Sequence, residues 1–303
     1  MAISRSQLVK ELEPGLNALF GLEYKRYENQ HAEIYTTENS DRAFEEEVML
    51  SGFANAQVKG EGSGVSFDEA QETFTARYTH ETVALAFAIT EEAIEDNLYD
   101  RLASRYTKAL ARSMSNAKQV KAVEPLIQGL PLTDNFDSGD GVSLFNTSHP
   151  TVAGTFSNTL TTPADLNETS LEQSMIDIAA MTDERGLRIA ARGVKMIIPS
   201  ELQFTAERLM KSQGRTGTAD NDINAIVSMG MIPQGYRVNN YLTDSDAYYI
   251  LTDIPNGMKM FNRAPLTTAM EGDFDTGNVR YKARERYSFG VSDPRGIYGV
   301  AGA

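Results

Sequence analysis

Hydrophobic and polar positions alternate most regularly at the C-terminal end of the chain. Tyr281, Ala283, Tyr287, Phe289 and Val291 recur at every second residue, and Arg280, Lys282, Arg284 and Arg286 fill positions between them. A period of two predicts a strand with one buried and one polar face, and here the polar face is a row of positive charge. The strand breaks at Asp293-Pro294-Arg295-Gly296, and a short apolar run from Ile297 to Val300 follows. A second region of alternation lies upstream. Phe74, Ala76 and Tyr78 hold even positions, whereas Val83, Leu85, Phe87 and Ile89 hold odd ones, so a bulge or bend is expected near Thr79 to Thr82. With the glycine-rich stretch Gly60-Glu61-Gly62-Ser63-Gly64 as its tip, residues 51–89 read as one long β-hairpin whose outer half has few apolar partners of its own and is expected to find them on a neighbouring molecule.

Helical periodicity occupies other segments. Residues 3–20 carry Ile3, Leu8, Leu12, Leu16, Leu19 and Phe20 on one side, with an interruption expected at Pro14. Residues 91–121 predict a single long helix, with Thr90 as N-cap, acidic residues in the first turns and apolar residues at 94, 98, 102, 106, 110, 114, 117 and 120. At 1.5 Å per residue it would be roughly 45 Å long. A further helix is expected over about 170–185, opened by a Thr169/Glu172 capping box and stopped at Gly186. Residues 128–168 are turn-rich, and 194–198, 236–241, 247–253 and 257–261 read as strands. Helices are predicted from Pro199-Ser200 to Lys211 and over 222–229, with a flexible loop between them from Gly214 to Asp220.

Composition narrows the functional classes. The net charge is −14 and the pI near 4.7, which argues against a general nucleic-acid or membrane binder. The absence of cysteine excludes disulfides, thiolate metal sites and cysteine nucleophiles. No secretory signal and no membrane span is apparent. Gly60, Gly62 and Gly64 lack the spacing of a dinucleotide loop, and no phosphate-binding Walker motif occurs. Asp137-Ser138-Gly139-Asp140-Gly141 lacks the alternate ligands and closing Glu of a calcium loop and reads as a solvated turn. The three histidines, at 31, 80 and 149, lie in separate segments, which disfavours His-based metal or acid–base sites. No cofactor and no catalytic residue is assigned, and the chain is not expected to be an enzyme. The acidic run Glu45-Glu46-Glu47 reads more readily as a solvated face than as a site.

Several local patterns then share one order. They are Leu144-Phe145-Asn146-Thr147-Ser148-His149-Pro150, followed by Lys195-Met196-Ile197-Ile198-Pro199-Ser200-Glu201-Leu202, then Tyr248-Tyr249-Ile250-Leu251-Thr252-Asp253 and Met260-Phe261-Asn262-Arg263, and finally Arg284-Glu285-Arg286-Tyr287-Ser288-Phe289-Gly290 with Asp293-Pro294-Arg295-Gly296. Taken with the predicted elements, the chain resembles the major capsid proteins of tailed bacteriophages with the Hong Kong 97-type fold, closest in pattern to Mu-like major head subunits. The resemblance implies an α+β fold with an N-terminal arm over 1–50, an extended loop over 51–89, and a peripheral domain formed by 90–187 and 257–291 with a spine helix at 91–121. An axial domain would comprise 188–256 and 292–303.

As function, it implies an icosahedral shell that self-assembles from hexamers and pentamers in the bacterial cytoplasm and becomes the virion capsid. The shell would enclose double-stranded DNA without sequence-specific binding and without a membrane. Its partners would be a portal and decoration proteins, and, because no long scaffolding extension precedes the arm, any scaffolding function would come from a separate protein or be absent. On this reading the basic row Arg280, Lys282, Arg284 and Arg286 meets acidic surface such as Glu45, Glu46, Glu47 or Glu61, with Gly60, Gly62 and Gly64 at the loop tip in the same interface. An encapsulin-like compartment with an enzyme cargo and a carboxylate-based hydrolase are the alternatives.

Overall fold

A computed structural model describes residues 5–90, 92, 99–130, 136, 138–214, 223–273 and 277–303, with side chains described from residue 13 onward in the first helix and from 103 in the long one. Two four-stranded sheets organise the chain. The first has the order β1 (Thr36–Asn39), β10 (Met258–Gly272), β11 (Val279–Val291), β4 (Glu81–Ile89). Helices α1 (Arg5–Arg26) and α2 (Tyr99–Gln128) pack on one of its faces. The second sheet has the order β12 (Ile297–Val300), β9 (Tyr248–Thr252), β7 (Gly193–Ile198), β8 (Tyr236–Val238). It packs against α3 (Glu168–Ala180), α4 (Gln203–Lys211) and α5 (Ala225–Met229).

Alternation along β11 is realised. Tyr281, Ala283 and Tyr287 are buried toward the helices, and Arg280, Lys282 and Arg284 are exposed on the other face. Its partner β10 extends to Gly272, eleven residues beyond the strand expected over 257–261. Mixed polarity conceals this extension, because the outer half of β10 is only half-buried. The face switch near 79–82 is also present: Ala76 and Tyr78 point into one contact and Ile89 into another, on either side of His80.

The hairpin pairs differently from the expectation over 51–89. Strand β3 (Glu72–Thr79) pairs antiparallel with β2 (Phe44–Leu50), Phe44 opposite Thr79 and Leu50 opposite Glu72. Strand β4 belongs to the first sheet, antiparallel to β11. Residues 51–71 form no strand. The acidic run is therefore half of the hairpin. Its sequence Phe-Glu-Glu-Glu-Val-Met-Leu places apolar and charged residues on both faces, so it carries no one-sided signal. The stretch beyond it is dominated by glycine and small polar residues of low strand propensity.

Helices also depart in detail. α1 continues through Pro14, because Leu16 and Phe20 beyond the proline are buried in the packing of the helix on Met114 and Tyr281, and tertiary burial outweighs local propensity. α2 runs on to Gln128, past the expected end at 121, with Ala122, Val123 and Leu126 fully buried. The expected start of this helix lies outside the described residues, as does most of the loop expected over 214–220. Of the predicted stripe, Leu110 and Met114 are buried, but Tyr106 and Val120 are about half exposed. Steps of four residues advance 400°, so such a stripe walks around a helix of 3.6 residues per turn instead of holding one face. α3 is capped by Asn167, whose side chain accepts from Ser170 N–H while Ser170 Oγ accepts from Asn167 N–H. It ends at Ala180, ahead of a turn in which Asp183 Oδ1 accepts the N–H groups of Arg185 and Leu187.

Candidate assembly surfaces

Three charged junctions tie the elements together. Lys259 of β10 is buried and reaches Glu38 of β1 at 3.2 Å and Glu47 of β2 at 2.5 Å. Burial alone would lower the Lys259 pKa, but the two carboxylates outweigh it and raise it. This ammonium therefore ties β1 and β2 to β10. At the second junction, Glu285 interrupts the apolar face of β11 and meets Lys118 of α2 at 3.2 Å. Tyr24 Oη donates to the same carboxylate at 3.5 Å. Burial pushes the Glu285 carboxyl up against the opposing pull of Lys118. Period two exposes this residue in sequence as the one acid on an otherwise apolar face. The third junction surrounds Arg295, whose guanidinium reaches Glu184 at 2.6 Å and Asp293 at 3.3 Å and lies over the Phe156 ring.

Two histidines are built into these joints. His31 packs edge-on to Phe289. Gln119 Oε1 accepts the His31 backbone N–H at 2.9 Å, which orients the amide so that Nε2 donates to His31 Nδ1 at 2.9 Å. A lone pair is thus required on Nδ1, and the ring is neutral. Burial, reinforced by the charge of Lys118, lowers the His31 pKa to about 4. His149 is fully buried, with Nδ1 at 2.6 Å from Asp140 Oδ2 and Nε2 at 3.0 Å from Asn158 Oδ1. Asn158 Nδ2 donates to the carbonyls of Leu144 and Pro294, so this group links the turn-rich excursion to the corner before β12. Burial pushes the Asp140 carboxyl up, but hydrogen bonds from His149, Ser138 and Val142 N–H prevail and hold it below the usual range. Glycine is required within β12 itself, since a Cβ on Gly299 would approach the Phe145 ring to 2.6 Å.

The residues singled out from sequence are distributed over two surfaces. Arg280, Lys282, Arg284 and Arg286 line one face of β11, about 6.8 Å apart. Across the sheet they are flanked by Ala88, Ala86, Ala84 and Thr82 on β4 and by Glu271, Ala269, Thr267 and Ala264 on β10, so small side chains border much of the row. Arg280 pairs with Asp273, and Arg286 Nη2 donates to the Ala43 carbonyl. Among the described residues Lys282 and Arg284 have no ion pair. The acids expected opposite them are not brought together with the row inside the subunit. Glu45 accepts from Ser40, Glu46 pairs with Arg77, Glu47 pairs with Lys259, and Glu61 sits on the exposed loop with Gly60, Gly62 and Gly64.

That loop forms the second surface. Val58 and Phe67 are 99% and 98% exposed, and Phe53 and Val65 are more than half exposed. Their spacing fits neither helix nor strand, so no periodicity marks them. Among the described residues no three acidic, histidine or cysteine side chains converge as metal ligands, and no helix is long and apolar enough to cross a membrane.

A four-stranded sheet backed by a long helix, a projecting hairpin and a second sheet joined by the returning C-terminal strand make up the α+β fold of Hong Kong 97-type capsid proteins. The family described as "Phage capsid protein" matches residues 72–300, and the chain belongs to it. The capsid of the empty GTA particle aligns over 90% of this chain and 89% of its own, with 14% identity and a TM-score of 0.57. The capsid of the native GTA particle gives 16% identity and a TM-score of 0.53 over 90% and 89%. A virus-like particle from Pyrococcus furiosus gives 11% identity and a TM-score of 0.50 over 94% and 97%. At these identities the likeness is one of fold. No curated protein matches the sequence.

Proposed function

We propose that the chain is the major capsid protein of a tailed phage, assembling through hexamers and pentamers into an icosahedral head that encloses double-stranded DNA. The observation that carries this reading, beyond family membership, is the loop over 51–71, whose large apolar side chains have no cover within the subunit. Scattered exposed apolar residues are ordinary, but a projecting loop that concentrates them marks an interaction surface. Within this reading β2, β3 and the loop form the extended loop over a neighbouring copy. The first sheet with α2 forms the peripheral domain, and the second sheet forms the axial one. The order of the short motifs supports a reading as a Mu-like major head subunit, in which a separate scaffolding protein, a portal and decoration proteins would complete the particle.

The basic row then meets carboxylates of a neighbour, where charge complementarity sets register more than affinity. Since Glu45, Glu46 and Glu47 are engaged inside the subunit, Glu61 is the acid of the four left to oppose it. Electron microscopy of the expressed full chain, with and without its scaffolding protein, tests the reading. Closed shells are expected, and a persistent monomer would overturn it. Particles filled with protein and devoid of DNA in infected or native cells would point instead to an encapsulin-like compartment.

A further inference from the structure

A cavity of about 350 Å³ lies where β2 runs out into the loop, at Met49 to Gly52, beside the turns that carry Asp183, Glu184, Asp253 and Asp293. Among the residues that line it, these four are acidic and Arg295 is the one cation; Glu184 and Asp293 contact its guanidinium, whereas Asp183 lies half-buried and Asp253 on the exposed rim. Its donors are already committed: Nε to the Thr182 carbonyl at 2.8 Å, Nη1 to Asp293 at 3.3 Å and Nη2 to Glu184 Oε1 at 2.6 Å. The neighbouring Arg185 turns away, donating to the Glu69 carbonyl and lying near Asp68. Glu184 is 2% exposed, yet among the described residues its second oxygen, Oε2, has no hydrogen-bond partner. A buried carboxylate oxygen without a donor is costly, and an excess of buried negative charge more so.

We infer that this cavity is a cation site, and that in the assembled shell it receives the ammonium or guanidinium head of a lysine or arginine from a second copy of the chain. The inference rests on the shell reading above. What the cavity lacks is a donor carrying positive charge. Among the described residues the acids do not converge as metal ligands, which directs the choice to a side-chain cation. The chain itself carries exposed cations of this kind, since among the described residues Lys282 and Arg284 form no ion pair. Burial also pushes the Asp293 carboxyl up despite Arg295, so the site gains from further positive charge.

A cryo-electron-microscopy reconstruction of shells assembled from the full chain, at a resolution that shows side chains, tests this directly. The expected result is a lysine or arginine of an adjacent copy within about 4 Å of Glu184 Oε2. A cavity holding only water or a salt ion, in well-formed shells, overturns the inference and leaves the shell reading standing. Failure of the unaltered chain to form any particle overturns both. The variant Asp253→Asn removes one charge from the exposed rim while keeping an oxygen for the Arg192 N–H it accepts. Its subunit should melt as the wild type does, while its shells dissociate at a salt concentration about twofold lower. Shells of unchanged salt sensitivity would contradict the inference.

Discussion

The second sheet and the hairpin loop are opposite solutions in one chain. In the sheet, Tyr248, Tyr249, Ile250, Tyr298 and Val300 are fully buried, and Tyr298 Oη donates to Asp177 at 2.8 Å, so apolar area and polar atoms are both satisfied internally. The loop leaves Val58 and Phe67 almost wholly in water and has no strand pairing over 51–71. Burial of a side chain of this size is favourable by about 1.5–3 kcal/mol, which the subunit alone forgoes in the loop and collects in the sheet. Stability of the subunit and competence to assemble are therefore carried by different residues, and substitutions should separate them.

The largest effect on the subunit is expected in the sheet. Tyr298→Ala removes a fully buried ring and should cost about 4 kcal/mol in urea unfolding. Phe67→Ala should move the same transition by no more than about 0.5 kcal/mol. A comparable pair of results would remove the contrast between the two regions.

Acid should act next. Folded His31 is neutral with a pKa near 4, whereas an unfolded histidine titrates near 6.5. Between these values the unfolded chain binds more protons. Stability is therefore fully present above about pH 6.5, falls as pH drops toward 4, and levels off below it. The difference amounts to about 3 kcal/mol. Denaturation curves of the wild type and His31→Gln across this range should differ in slope, the variant lacking the His31 share. Equal slopes would show that the ring is not held neutral.

Lys259→Met should cost about 2 kcal/mol, less than for a fully enclosed pair because Glu38 and Glu47 are partly in water. Hydrogen exchange along β2 should rise in that variant before exchange in the second sheet does. The smallest effect on the subunit belongs to the basic row. Lys282→Glu with Arg284→Glu should change unfolding by less than about 0.5 kcal/mol and yet reduce shell yield. Normal shells from this double variant would remove the row from the interface.

Sequence patterning revealed what has a one-sided period. β11 shows it because water lies on one face and α1 and α2 on the other; β7 and β9 stand out instead as short apolar runs, because both of their faces are buried. β2 and the outer half of β10 were hidden because both of their faces are mixed, and strand pairing across more than two hundred residues, as between β1 and β10, leaves no local trace. The charged junctions were partly legible: Glu285 breaks a period, but nothing local joins Lys259 to Glu38 and Glu47 or Arg295 to Glu184. Of the candidate surface, the basic row could be read from alternation, whereas the engagement of Glu46 by Arg77 and of Glu47 by Lys259 depends on a hairpin register that sequence did not fix.

The division of labour is tested most directly by electron microscopy of the full chain beside a variant carrying Val58→Ser, Val65→Ser and Phe67→Ser, with the melting temperature of both subunits in hand. The wild type should give closed shells and the variant a folded subunit of unchanged melting temperature that does not close. Closed shells from the variant, or a stable wild-type monomer under all assembly conditions, would contradict the account.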